Sequence, residues 1–123
     1  MDEVVYVLVP ASREPLSYNF FMALHKATIE AGVKVIWGIT RHYGVAEARN
    51  MGVEQALNLG ATHILFLDDD IVPQVNPITS FLQARVPIAC GLYYEKNMRG
   101  TNLHVYRNGK WRNLRIKEVE RLV

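Results

Sequence analysis

The chain holds four aspartates, and three of them are consecutive: Asp68, Asp69 and Asp70, in the stretch THILFLDDDIVP. They follow Ile64-Leu65-Phe66-Leu67, a run apolar enough to form a buried strand. Carboxylates this close repel one another, so something must offset the cost: a metal ion, an arginine or open water. In an extended backbone alternate residues share a side, which would put Asp68 and Asp70 together with Asp69 opposite. Magnesium and manganese favour a few carboxylates completed by water and phosphate oxygens. That chemistry points to a substrate carrying phosphates. An exposed acidic turn without a ligand is the plain structural alternative.

The elements that must position this triplet can be read along the chain. Val4-Val5-Tyr6-Val7-Leu8-Val9 is β-branched and apolar and stops at Pro10, as a buried strand would. Ser17 is placed to cap a helix in which Phe20, Phe21, Leu24, Ala27, Thr28 and Ala31 recur at helical spacing, and Gly32 ends it. Val33–Trp37 predicts a second strand, and the loop TRHYG leads to a helix from Val45 to Leu59 closed by Gly60. His63–Leu67 is the third strand, with the aspartates at its C-terminal end. Asn76-Pro77 opens a short helix to about Arg85. Val86–Leu92 reads as a fourth strand, and Asn108-Gly109 between two extended runs predicts a hairpin over 105–111. The order β-α-β-α-β-α-β predicts an α/β fold: a mostly parallel sheet with helices on both faces and a C-terminal hairpin. Ligands of such sheets bind beyond the carboxyl ends of the strands, where PASREP, TRHYG and DDDIVP all fall.

Two enzyme classes place Asp-x-Asp after an apolar strand. In haloacid dehalogenase-like phosphatases the motif follows the first strand and needs a second acidic pair downstream. Here it follows the third, and no aspartate comes after Asp70. The longer segment AEARNMGVEQALNLGATHILFLDDDIVP, residues 46–73, resembles family 2 glycosyltransferases. The shared pattern is Ala-Arg-Asn-x-Gly on a helix, a spacer, a strand, then Leu-Asp-x-Asp and a proline. The opening strand through Val9-Pro10-Ala11-Ser12-Arg13 is similar as well, so the resemblance covers residues 4–95.

The resemblance implies a GT-A-like (Rossmann-like) single domain over residues 1–123, with the acceptor half short or missing. It implies a donor that is a nucleotide-diphosphate sugar, an unknown acceptor (glycan, protein or lipid), and Mn2+ or Mg2+ as cofactor. Asp70 would ligate the metal with help from Asp68. Asp68 would also meet the ribose or base, with Asp69 the variable middle position. Arg49 would reach the pyrophosphate or brace the aspartates, Asn50 and Gly52 would let the helix come close, and Pro10, Ala11 and Arg13 would line the nucleotide pocket. The chemistry is coherent: a departing diphosphate accumulates charge that a cation and a planar guanidinium stabilise. The catalytic residue is not identified. Glu95 is the best-placed acid after the triplet, and His104 is a weaker metal-ligand candidate than a surface strand residue. His42 and Tyr43 sit in a loop that could touch base or sugar. Tyr93, Tyr94 and Trp111 could stack on a sugar, although packing is their more frequent role. A non-catalytic domain that binds a nucleotide or a partner is the alternative.

Composition sets the outer bounds. A chain of 123 residues, half hydrophobic and 21% charged, fits one globular domain. A net charge of +2 gives no reason to expect nucleic acid. Eight of the fourteen Lys and Arg lie between Lys96 and Arg121, opposed there only by Glu118 and Glu120. Such a segment suits an anionic ligand, lipid head groups in a peripheral membrane contact, an acidic partner, or simply solvent. Cys90 is the only cysteine, which excludes an internal disulfide, and its apolar neighbours predict a buried, inert thiol. No apolar stretch approaches the ~20 residues of a membrane span and the N-terminus lacks a basic leader, so a cytoplasmic location is expected.

Overall fold

The structure is a computed structural model that describes residues 2–11, 16–41, 44–93 and 100–121. It divides into two compact units, Met1–Arg85 and Val86–Val123.

The first unit is built around β1 (Val4–Pro10), flanked by β2 (Lys34–Thr40) and β3 (His63–Phe66) in the order β2-β1-β3. Both pairings are parallel, with Val4 opposite Lys34 and Val5 opposite His63. The expected first three parallel, adjacent strands are present. β1 is central because it alone can bury both faces: Val5 to Val9 are all buried. Pro10 ends it, where a missing N–H costs the ladder least. The β3 strand lies at the sheet edge rather than in its interior, and Phe66 is half exposed.

Alternation along β1 sorts the helices onto two faces. Val5, Val7 and Val9 pack with Phe20, Leu24 and Ala27 of α1 (Tyr18–Glu30) and with Ile78 of α3 (Pro77–Ala84). Burying each large side chain contributes about 1.5–3 kcal/mol. Tyr6 and Leu8 face α2 (Val45–Asn58), whose buried Ala48, Gly52 and Ala56 form a small-residue stripe. Gly52 is required there: a Cβ at that position would lie 2.1 Å from Leu8 Cδ1. The Tyr6 hydroxyl donates to Gln55 Oε1 at 2.9 Å, and burial pushes its pKa up.

The caps follow the sequence closely. Ser17 Oγ accepts from the Phe20 N–H, and Asn76 Oδ1 accepts from the Ile78 and Thr79 N–H groups. Asn76 Nδ2 also donates to the Ala27 carbonyl at 3.0 Å, tying α3 to α1. Trp37 Nε1–H donates to Thr28 Oγ1 at 2.8 Å, joining β2 to α1.

The second unit contains a hairpin of β4 (His104–Arg107) and β5 (Lys110–Asn113), followed by the short helix α4 (Ile116–Glu120), which has no counterpart in the sequence reading. Asn108 and Gly109 both have positive φ (53° and 74°), the geometry of a two-residue hairpin turn. The expected fourth strand is not formed. Val86–Leu92 takes no strand pairing, and Ile88 is 89% exposed. Cys90 lies in this segment and is exposed, which corrects the expectation of a buried thiol.

Candidate functional site

Parallel strands bring their carboxyl ends to one edge, so Pro10, Thr40 and Phe66 finish together. The chain leaves that edge at three places. After β1, the Ala11 N–H donates to the Thr40 carbonyl at 2.9 Å. After β2, the chain enters α2 at Val45, with Gly44 as a cap that offers no side-chain acceptor. After β3, the Leu67 N–H still donates to Leu8 O at 3.0 Å, extending the ladder by one residue.

At Asp68 the ladder ends and the backbone turns. The Ile71 N–H donates to the Asp68 carbonyl at 3.3 Å, leaving Asp69 and Asp70 as the central residues of a turn. The alternation expected of an extended triplet is therefore absent: a turn, not a pleat, distributes the three carboxylates. Asp69 is buried and Asp70 is exposed. Asp68 is half-exposed, and its Oδ1 meets Arg49 Nη2 at 3.4 Å. Arg49 was expected to reach the triplet, and it does so at Asp68.

This proximity follows from the fold. The α2 helix starts at the carboxyl edge, so Arg49, one turn in, stays near it, and the Gly52 contact with Leu8 brings the helix down onto the sheet. A pair this long and this exposed contributes only about 0–1 kcal/mol to stability. It holds a cation beside an acidic turn rather than holding the fold together. Asn50 is exposed on the same helix, and Pro10 and Ala11 are half-buried at the end of β1. Arg13, Ser12, His42, Tyr43, Tyr94 and Glu95 lie outside the described residues.

Among the described residues, no three His, Cys, Asp or Glu side chains gather into a ready-made metal cage. Magnesium or manganese bound mainly through water and phosphate makes a smaller demand, one or two carboxylates. Exposed Asp70 and half-exposed Asp68 are the two carboxylates of this turn that reach solvent.

Sequence reading missed Thr40. Its side chain is buried, and among the described residues its Oγ1 is the one buried side-chain oxygen or nitrogen without a hydrogen-bond partner. An unpaired buried hydroxyl costs about 1–3 kcal/mol, so a group that accepts or donates there gains correspondingly. The only available signal was a polar residue closing an apolar strand, which is too common to notice. A surface hollow of about 390 Å³, lined by Met22, Ala23, His25, Lys26, Ile29 and Glu30, runs along a single helix away from the carboxyl edge. It brings no acidic cluster or buried polar group to the site.

No protein-family model, no curated protein and no solved structure matches this chain.

Proposed function

We propose that the chain is a metal-dependent glycosyltransferase, or the donor-binding half of one, of GT-A-like fold, acting on a nucleotide-diphosphate sugar. The observation that carries the reading is the pairing of Arg49 with Asp68 at the carboxyl edge of a parallel sheet, with Asp70 exposed two residues on in the same turn. Asp70, helped by Asp68, would hold Mn2+ or Mg2+. When bound, the ion supplies Lewis-acid stabilisation of the diphosphate leaving group. Arg49 neutralises the acidic turn before the donor arrives and contacts the pyrophosphate afterwards, its planar fork matching phosphate oxygens. Pro10 and Ala11 border the nucleoside. In transfer, the acceptor oxygen bonds to the anomeric carbon as the bond from that carbon to the diphosphate breaks. The leaving group keeps the electron pair, and the acceptor proton passes to a base.

The alternative is a domain that binds the nucleotide without turning it over. The test is release of nucleoside diphosphate from a panel of sugar nucleotides with manganese, with and without a chelator. Chelator-sensitive release supports the transferase. Metal-dependent binding without release supports the binding domain. Neither binding nor release removes both readings.

A further inference from the structure

Helix α1 is apolar on two opposite sides. Phe20, Leu24 and Ala27 are buried against β1. At 3.6 residues per turn, Tyr18, Met22, His25 and Ile29 fall within about 60° of one another on the other side. A surface helix ordinarily carries polar residues there. Here Tyr18 is 74%, Ile29 70%, Phe21 43% and Met22 40% exposed. The stripe is braced along one flank. The Phe21 ring stacks on His25 with centroids 6.0 Å apart and meets Trp37 of β2 edge-on at 5.8 Å.

The spacing of the stripe selects its occupant. Steps of four, three and four residues are the steps of a heptad seam. They also read the same in both directions. Turned about a two-fold axis level with the Ala23–Leu24 junction, the stripe meets itself, Tyr18 against Ile29 and Met22 against His25 of a second copy. An interface between identical copies related by a two-fold axis needs this self-complementarity. The hollow of about 390 Å³ beside Met22, His25 and Ile29 then receives Met22 of the second copy, as a knob enters a hole. A parallel pair would instead set His25 against His25 and align the two helix dipoles unfavourably. Lys26 is matched by Glu30 at 4.0 Å. This flank therefore brings no net charge against its own copy and no basic excess to hold an anionic lipid surface. At roughly 200 Å² per large side chain, the exposures leave about 450 Å² of apolar surface on each copy, or about 900 Å² for the pair. That lies below the ~1,200 Å² of standard stable interfaces, in the range of weak, transient association.

We infer that the exposed side of α1 pairs antiparallel with the same side of a second copy, in a weak two-fold dimer. This concerns a surface away from the carboxyl edge of the sheet and does not rest on the proposed transferase activity. Sedimentation equilibrium of the full chain, run from about 10 μM to 1 mM, should show a monomer–dimer equilibrium. Ile29 is exposed, so Ile29→Lys leaves the fold in place and should weaken the dimer at least about tenfold by placing a charge in the seam. His25→Leu replaces the polar member of the seam and should tighten the dimer about threefold or more. In a Cys90→Ser background, Tyr18→Cys and Ile29→Cys variants, mixed and oxidised, should cross-link to each other in preference to themselves. Three outcomes overturn the inference: a monomer at every concentration, a dimer indifferent to Ile29→Lys or loosened by His25→Leu, or Tyr18→Cys cross-linking chiefly to itself.

Discussion

The two units are held together by different physics. In Met1–Arg85 the apolar residues of β1 are sealed between helices, and Val7, Leu8, Val9 and Phe20 are wholly buried. In Val86–Val123, Leu114 is the only buried apolar residue among those described. Order there comes from hydrogen bonds. Thr101 Oγ1 donates to the Leu114 carbonyl at 2.8 Å, the Leu114 N–H donates to Leu103 O at 2.9 Å, and Asn113 Nδ2 donates to the Thr101 carbonyl. Such bonds contribute about 0.5–1.5 kcal/mol each, less than a buried Leu or Phe. A unit built this way need not bury its aliphatic and aromatic side chains, and this one exposes Ile88, Tyr106 and Trp111.

The largest expected contrast sets Leu8→Ala against Ile88→Ala. Leu8→Ala should lower stability by about 2–5 kcal/mol by opening a cavity under α2. Ile88→Ala should stay within about 0.5 kcal/mol. Urea unfolding followed by far-UV circular dichroism, to which both units contribute, reads both. Equal effects would dissolve the distinction between the units.

Gly52→Ala comes next. Its added methyl would overlap Leu8, at a cost of about 1–3 kcal/mol that outweighs the propensity gain of about 1 kcal/mol. Combining it with Leu8→Ala should cost less than the sum, because the second change vacates the space the first needs. Strict additivity would mean that the helix moves instead of the side chain.

Asn76→Ala should cost about 0.5–2 kcal/mol, since it removes the cap of α3, and its bond to Ala27 as well. Thermal unfolding of the purified variant measures it.

The smallest effect lies in the second unit. The Arg112 side chain, then the Arg115 backbone N–H, hold the Glu118 carboxyl below the usual glutamate range. A depressed folded pKa stabilises above the unfolded value and is lost as pH falls through the folded one. The link between hairpin and α4 should therefore persist at neutral pH and loosen only on acidification past the ordinary glutamate range. A carboxyl NMR titration of Glu118, repeated in Arg112→Ala, should show the depression shrink.

The same contrast explains what could be read in advance. Strands β1 to β3, their parallel order and the caps Ser17 and Asn76 were legible because apolar period, capping residue and burial all agree there. The Asn108-Gly109 turn was legible because few residues other than Asn and Gly accept positive φ at both positions. Val86–Leu92 misled because β-branched, apolar composition records only a capacity to pair; pairing also needs a neighbour, and sequence does not supply one. At the site, the Arg49–Asp68 contact followed from chain order and short connections. The turn at Asp68–Ile71 did not, because a carboxylate triplet tolerates both pleat and turn. Thr40 stayed hidden because its distinguishing feature is a missing partner.

The central claim is that the acidic turn binds a nucleoside diphosphate through a divalent ion, and titration calorimetry on the wild type and Asp70→Ala tests it most directly. The wild type should bind a nucleoside diphosphate only when manganese is present. Asp70→Ala should weaken that binding by more than about tenfold, or 1.4 kcal/mol, and abolish its dependence on metal. Binding that is absent in the wild type, or unchanged by Asp70→Ala, would contradict the account and leave the triplet a solvated turn.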